Sequence, residues 1–114
     1  MRLKSEVWVK AYVRRCNASG AFAAVVRHGD DDAGAIFIKI NRLDGTAGLY
    51  GPAPAGFGGD GEDRSWNAHI DRADARERDV DAYLARQAEF DSDLWIIEVE
   101  DRAGRHFLEG WITA

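Results

Sequence analysis

Cysteine, proline and long apolar runs are scarce in this sequence of 114 residues. The single cysteine, Cys16, excludes an intramolecular disulfide and a metal site built from several thiolates. No stretch approaches the roughly 20 apolar residues of a membrane-spanning helix, and the charged start of the chain lacks the apolar run of a signal peptide. We therefore expect a cytoplasmic protein with no membrane association.

Negative charge outweighs positive charge, and the formal net charge is −5 at pH 7. Residues 1–50 carry a net +3, whereas residues 51–114 carry a net −8. An acidic total argues against bulk nucleic-acid binding, because such binding depends on neutralising phosphates. Hydrophobic residues make up 46% and charged residues 31%, which is typical of a globular chain. The length fits a single domain over residues 1–114.

Two segments have the periodicity of amphipathic helices. The first is predicted over residues 5–16, with Ser5 as its cap and Gly20 as its end. Its apolar face comprises Trp8, Val9, Tyr12, Val13 and Cys16, which fall together at 100° per residue. The second helix is predicted over residues 75–89, and its apolar stripe contains Val80, Leu84 and Ala88.

The remaining apolar segments are predicted to be strands. They cover residues 22–27, 36–40, 47–51, 65–70, 94–100 and 106–112, the fourth being a possible edge strand. Asp44-Gly45 predicts a two-residue hairpin, and Asp101 with Gly104 predicts a type I turn. The order αβββ(β)αββ indicates an α+β domain. Its antiparallel β-sheet is a meander plus a C-terminal hairpin, with two helices on one face.

Both prolines and a cluster of glycines fall between residues 52 and 64, which predicts a mobile loop. Within it, residues 56–61 match the pattern GxGxxG. A dinucleotide site needs a strand before this pattern and a helix after it. Here prolines precede the pattern and Glu62-Asp63 follow it, so we favour a loop over a phosphate site.

Titratable residues provide few candidates for chemistry. Cys16 lies in the apolar helical stripe, which predicts a buried and inert thiol. The C-terminal hairpin places Glu100 opposite His106, as an acid/base pair or an ordinary cross-strand charge pair. It also places Glu109 among aromatic side chains, as a structural ion pair or a pocket residue. The histidines have no metal-ligand spacing, so we predict no metal and no cofactor.

Cations of the first half form a basic patch if the first helix adjoins the hairpin around residues 40–45. These cations are Arg14, Arg15, Lys39 and Arg42. Arginine side chains bind carboxylates or phosphates with a planar fork. We therefore predict a binding site for an anion or a partner at Arg14, Arg15, Arg42, Asp44 and Tyr50. The alternative is that these arginines only pair with acidic residues of the same chain.

Several segments taken together resemble a known protein family. They are Arg14-Arg15-Cys16, Gly20-Ala21-Phe22, residues 40–47, Tyr50-Gly51-Pro52-Ala53-Pro54, residues 90–95 and residues 98–106. This set is similar to an uncharacterised alphaproteobacterial domain-of-unknown-function family, number 1491. The resemblance covers nearly the whole chain and implies a stand-alone bacterial protein of this length. It implies no activity.

Two classes of function remain open from the sequence. The first is a binding or protein-interaction module without catalytic activity, because four tryptophans exceed what one small core needs and aromatic residues mark interfaces. Its partner is another protein or a second copy. The alternative is a small enzyme or a nucleotide- or anion-binding protein that uses the arginines. No nucleophile–base pair at diagnostic spacing supports an enzyme.

Overall fold

The computed structural model describes residues 3–54 and 64–113, which form two helices and five strands. These are α1 (Ser5–Ala18), β1 (Phe22–Arg27), β2 (Ile36–Asn41), β3 (Ala47–Pro52), β4 (Trp66–Ile70), α2 (Glu77–Phe90) and β5 (Trp95–Glu100). The predicted α+β class is confirmed, and each of these elements was placed within two residues at both ends. The greater part of the predicted mobile loop, residues 55–63, lies outside the described residues, and so does the glycine pattern at 56–61.

The five strands form one sheet in the order β1-β5-β2-β3-β4. Neighbouring strands are antiparallel except β2 and β5, which are parallel. The prediction that the first three strands form a meander is wrong, because β5 lies between β1 and β2. Ala23 of β1 faces Val99, and Ile40 of β2 faces the same residue from the other side. The meander that exists is β2-β3-β4.

The prediction of a C-terminal hairpin is also wrong, although the turn over residues 101–104 forms. The Gly104 amide donates to the Asp101 carbonyl at 2.9 Å, and Gly104 has a φ of +71°. Residues 106–112 make no strand with β5, because β1 and β2 already occupy both edges of β5. This terminal segment instead bonds to β4. The Trp66 amide donates to the Trp111 carbonyl at 2.8 Å.

The two helices cover opposite faces of the sheet, so the prediction that they share a face is wrong. One core contains α1 residues with strand residues and the terminal segment: Trp8, Val9, Tyr12, Cys16, Ala23, Ile36, Ile38, Ile40, Trp66, Trp95, Ile97, Val99, Phe107 and Leu108. The other contains Phe37, Ala47, Leu49, Val80, Leu84 and Leu94. β2 contributes apolar side chains to both cores. Both faces of the sheet are therefore apolar, and a helix packs on each of them.

The predicted end signal of α1 at Gly20 is confirmed, whereas the predicted cap at Ser5 is wrong. The helix ends at Ala18, and Gly20 takes a φ of +93°, a left-handed conformation that glycine adopts without strain. Ser5 is the first helical residue rather than the cap. Its hydroxyl is buried and donates to the Gly34 carbonyl at 2.7 Å, which ties the start of α1 to the β1–β2 connection.

The β2–β3 hairpin forms with a longer loop than the predicted two residues. Asn41 faces Ala47, and the Arg42 amide donates to the Thr46 carbonyl at 3.2 Å. The Asp44 carboxylate accepts hydrogen bonds from the Thr46 amide and hydroxyl, and these bonds hold the pKa of Asp44 below its ordinary value. The side chain of Asp44 therefore stabilises the five-residue loop locally.

Candidate functional site

β1 is an edge strand with an unusual number of exposed apolar side chains. Among the strands that the structure describes, β1 pairs with β5 alone. The exposed fractions of Phe22, Val25 and Val26 are 60%, 42% and 61%. Phe22 lies opposite Glu100, on the face of the sheet that carries α2, whereas Val25 lies opposite Ile97, on the face that carries α1. Apolar side chains thus flank this edge on both faces of the sheet.

A groove with a volume of about 660 Å³ runs between α1 and β1. Its lining comprises Val9, Lys10, Val13, Arg14, Asn17, Ala18 and Val25, and we call it the α1–β1 groove. Val9 is buried and Val13 is half-buried against the core. The groove therefore has an apolar floor, and the cationic side chains of Lys10 and Arg14 lie on its rim.

Two cations stand on the rim of this groove in a protein of net charge −5. Lys10 and Arg14 are exposed, one helical turn apart. Within residues 3–54 and 64–113, neither side chain has a hydrogen bond or an ion pair. Like charges four residues apart on a helix destabilise it slightly. An anionic group bound at the rim would remove that repulsion.

The hydrogen-bonding edge of β1 is partly shielded. The Asn17 side chain accepts the Ala23 amide at 2.9 Å. The register against β5 shifts between Val25 and Arg27, as at a β-bulge, and the Arg27 guanidinium donates to the Ser92 carbonyl at 3.1 Å. Bulges and capped amides at an edge oppose the addition of another strand. The exposed apolar side chains, rather than the backbone, are thus the accessible feature of β1.

Of the predicted binding residues, Arg14 lines this groove, and Arg15 holds the terminal segment instead. The Arg15 guanidinium donates to the carbonyls of Phe107 and Glu109, at 3.2 and 3.1 Å. The same guanidinium lies over the Trp111 ring, 4.1 Å from its centroid. These contacts supply Arg15 with acceptors and an aromatic face within its own chain.

Arg42 and Asp44 make contacts around the β2–β3 loop. The Arg42 guanidinium donates to the Thr46 hydroxyl at 3.0 Å and to the carbonyl of Arg72 at 3.3 Å. The Oδ1 atom of Asp44 accepts both hydrogen bonds from Thr46, as described above. The binding of an anion by Arg15, Arg42 and Asp44 stays a prediction, and it requires these groups to give up or share the contacts described.

Tyr50 lies at a separate, polar groove of about 390 Å³. The groove is lined by Tyr50, Asn67, Ala68, Asp71, His106, Ile112 and Thr113. Burial, with a contribution from the Asp71 carboxylate, raises the pKa of Tyr50. Its phenol therefore stays protonated at neutral pH and is available as a hydrogen-bond donor.

His106 was predicted to pair with Glu100, but its ring contacts Leu108 and Glu109 instead. Glu100 faces Phe22 and Asn41, not His106. The Nδ1 atom of His106 accepts the Leu108 amide at 2.8 Å, so the neutral ring carries its proton on Nε2. The Glu109 carboxylate lies 3.3 Å from that same Nδ1 and is exposed rather than buried among aromatic rings. The proposed pairing of Glu100 with His106 is therefore wrong.

The placement of Lys39 in a basic patch is also wrong. Its ammonium group is buried and lies 2.7 Å from both Glu77 and Asp81 and 3.5 Å from Glu98. The Asn41 amide also bonds Glu77 and Glu98. Burial acts to lower the pKa of Lys39, but the hydrogen bonds with Asp81 and Glu77 outweigh it and raise the pKa. A lysine held in its charged form is an ion-pair anchor between the sheet and α2, not a nucleophile.

Cys16 is buried in the α1-side core, as the sequence predicts. Burial raises the pKa of its thiol, although hydrogen bonding with Tyr12 and the charge of Arg15 act in the opposite direction. Because the thiolate is the reactive form, burial and a raised pKa both disfavour reaction of this thiol at neutral pH, and its inertness stays a prediction.

Asp101 is a buried carboxylate that fixes the start of the terminal segment. It accepts hydrogen bonds from the amide, Nε and Nη2 of Arg105, at 2.9, 3.0 and 2.8 Å. The side-chain hydrogen bond from Arg105 is the main reason that the pKa of Asp101 lies below its ordinary value. A carboxylate whose pKa is lowered by folding stabilises the protein above its unfolded-state pKa.

We expect Asp101→Asn to lower the free energy of unfolding at pH 7 by about 1–2 kcal/mol, because a charged hydrogen bond is lost. The difference from the parent protein should shrink as the pH falls below about 4 and Asp101 becomes protonated in the parent too. Urea unfolding at pH 7, 5, 4 and 3 measures the difference in free energy of unfolding between the variant and the parent protein. Asp74→Asn is the control, because the Asp74 side chain is 91% exposed. A difference that grows on acidification would contradict the role of Asp101.

Neither a metal-binding cluster nor a membrane-spanning helix is found in the parts of the chain that the structure describes. No group of three or more histidine, cysteine or carboxylate side chains within residues 3–54 and 64–113 could hold a metal ion. In the same ranges, neither helix has the length and apolar character needed to cross a bilayer.

The chain is similar to proteins of known structure but unknown function. A family model described as "Protein of unknown function (DUF1491)" matches residues 3–109. A crystal structure of a DUF1491 family protein from Caulobacter crescentus is 40% identical over 100% of both chains, with a TM-score of 0.80. A solution structure from A. tumefaciens is 44% identical over 88% of this chain and 86% of that one, with a TM-score of 0.74. No curated protein matches the chain. The chain therefore belongs to the DUF1491 family of proteins of unknown function.

Proposed function

We propose that the chain is a protein-interaction module without catalytic activity, and that its partner binds at the α1–β1 groove and the adjoining edge strand. One observation carries this proposal: the exposed apolar side chain of Val25 lines an apolar groove, and the two rim cations of that groove have no side-chain partner within residues 3–54 and 64–113. Exposed apolar side chains grouped on one surface are typical of protein-binding sites. The bacterial sources of the two relatives support a bacterial protein, and a chain that is not built around disulfides fits a cytoplasmic location.

The state of the reactive side chains supports binding rather than catalysis. Cys16 is buried with a raised pKa, and Lys39 is held protonated by carboxylates. Arg15 is engaged by backbone carbonyls of the terminal segment. Each of these groups already has a structural partner or lies out of reach of a substrate. The exposed groove side chains Lys10, Arg14 and Val25, in contrast, are available to a partner.

We expect Val25→Asp to abolish partner binding while the fold is retained. Val25 is 42% exposed on an edge strand, so a carboxylate there remains solvated in the free protein but would be buried without a counter-charge in the complex. Tagged protein is expressed in its own host and recovered with its partners, which are quantified by mass spectrometry. Recovery of the specific partner should fall at least about tenfold.

Phe90→Asp provides the matched control. Phe90 is also apolar and is 87% exposed, but it lies at the end of α2, outside the α1–β1 groove. Thermal unfolding of both variants should match that of the parent protein. Unchanged recovery with Val25→Asp, or an equal loss with Phe90→Asp, would exclude the α1–β1 groove as the binding site.

A further inference from the structure

We infer that the α1–β1 groove binds an acidic amphipathic helix of the partner protein. This inference rests on the proposed function and specifies the chemistry of the partner. Three features of the described residues carry it: the shape of the groove, the shielding of the β1 edge and the sign of the charge on the rim.

The shape of the groove fits a helix lying alongside α1. Val9, Val13 and Asn17 follow one another at intervals of four residues, so this lining runs along one face of α1. The face extends for about 12 Å at 1.5 Å per residue, or roughly two turns. Val25 forms the opposite wall on β1. An amphipathic helix fills such a trough with side chains spaced by three and four residues.

The edge of β1 favours a helix over an added strand. A strand binds through a row of free amides and carbonyls. Here the Ala23 amide is already bonded to Asn17, and the register shift between Val25 and Arg27 interrupts the edge. A helix satisfies its own backbone and needs only the side-chain surface that Val13 and Val25 provide.

The charge on the rim selects an acidic partner and disfavours a second copy of the chain. The side chains of Lys10 and Arg14 have no ion-pair partner among residues 3–54 and 64–113. Carboxylates on the partner helix would pair with both and relieve the repulsion between them. Two copies that joined through this groove would instead bring four such cations together, which opposes association.

The test uses two fluorescein-labelled model peptides of about 16 residues, close to the length at which isolated helices become stable. Both carry leucine at intervals of three and four residues. One has glutamate at the flanking positions, and the other has lysine there. Fluorescence anisotropy with the full chain should show binding of the glutamate peptide. The affinity should fall at least about tenfold between roughly 50 and 500 mM NaCl, because salt screens the rim charges. The lysine peptide should bind at least about tenfold more weakly than the glutamate peptide.

Variants separate the role of the rim from that of the floor. Lys10→Glu/Arg14→Glu should weaken binding of the glutamate peptide at least about tenfold and improve binding of the lysine peptide. Val13→Asp should abolish binding of both peptides. Arg78→Glu/Arg86→Glu makes the same change in net charge on α2, where both side chains are exposed, and should have no effect beyond its change in net charge. Equal binding of the two peptides, or equal loss with the two double variants, would overturn the inference.

The result also distinguishes this inference from the proposed function. If Val25→Asp loses the host partner but the glutamate peptide does not bind, the interaction surface stands and the acidic helix is wrong. Analytical ultracentrifugation of the parent protein and of Val25→Asp tests whether the groove instead binds a second copy of the chain. A dimer of the parent protein that Val25→Asp dissociates would assign the groove to a second copy and would overturn the acidic-helix inference.

Discussion

Trp8→Ala is expected to lower the free energy of unfolding by about 3–5 kcal/mol, the usual cost of removing a large aromatic side chain from a core. The Trp8 ring is 2% exposed and stacks on Trp66 and Tyr12, with centroid distances of 4.1 and 4.9 Å. Its edge-on contact with Trp111 is 5.2 Å between centroids. One side chain thus joins α1, β4 and the terminal segment. Urea unfolding followed by far-ultraviolet circular dichroism measures the loss.

A pair of phenylalanine variants tests whether packing or hydrogen bonding dominates. The indole nitrogen of Trp8 is buried and has no acceptor among the residues described. The indole nitrogen of Trp66 donates to the Ile36 carbonyl at 2.9 Å. Trp66→Phe should therefore cost about 1–2 kcal/mol more than Trp8→Phe, because it leaves a buried carbonyl without its donor. Equal losses, or a larger loss at Trp8, would contradict this account of the core.

Lys39→Met is expected to lower the free energy of unfolding by about 2–4 kcal/mol at pH 7, because three neighbouring carboxylates lose their cation. The partial exposure of Glu77, Asp81 and Glu98 keeps the loss below that of a fully buried ion pair. The pKa of Lys39 is raised by folding, so its stabilising effect is complete below the unfolded-state value of about 10.4. Above neutral pH, the difference in free energy of unfolding between the parent protein and the variant should narrow as the pH rises through the folded-state pKa of Lys39.

Two further variants determine whether charge is the cause. Lys10→Met changes an exposed lysine that has no ion pair in the described ranges, and it should alter the stability by less than about 0.5 kcal/mol. Adding Glu77→Gln to Lys39→Met should restore part of the lost stability, because it removes one of the uncompensated carboxylates. If the double variant is the less stable of the two, repulsion among the carboxylates does not explain the effect of Lys39.

Local pattern was sufficient to predict the helices and most strands. The spacing of Trp8, Tyr12 and Cys16 defined the buried face of α1, and all three are buried. Gly20 marked the end of that helix because its left-handed conformation breaks the helical backbone. Such signals depend on residues within a few positions of each other, so they can be interpreted from a single sequence.

Pairing between distant segments was not predictable in the same way. The turn at Asp101–Gly104 favoured a hairpin with residues 106–112, and the turn exists. The partners of β5 are β1 and β2, which lie far earlier in the chain. Alternation in Trp95, Ile97 and Val99 fixes which side chains face the core but carries no information about the neighbouring strand.

The candidate site was predicted in part for the same reason. The basic face of α1 was identified from Arg14, and the groove beside it required the position of Val25 to be known. Lys39 was included in a basic patch on the condition that the first helix adjoins the hairpin around residues 40–45. The signal that could have corrected this was local: Lys39 stands within the apolar run Ile36–Ile40, where a buried cation needs acidic partners from elsewhere in the chain.

The central position of β5 sets the order in which the protein can assemble during synthesis. The ribosome makes β1 and β2 early, but these strands are not neighbours and cannot close the sheet without β5. Pairing between such distant segments makes folding slow. At about 5–20 residues per second, β1 and β2 wait for several seconds before β5 emerges. During that interval their apolar side chains are open to chaperones and to other nascent chains, so the risk of aggregation is greatest before β5 becomes available for pairing.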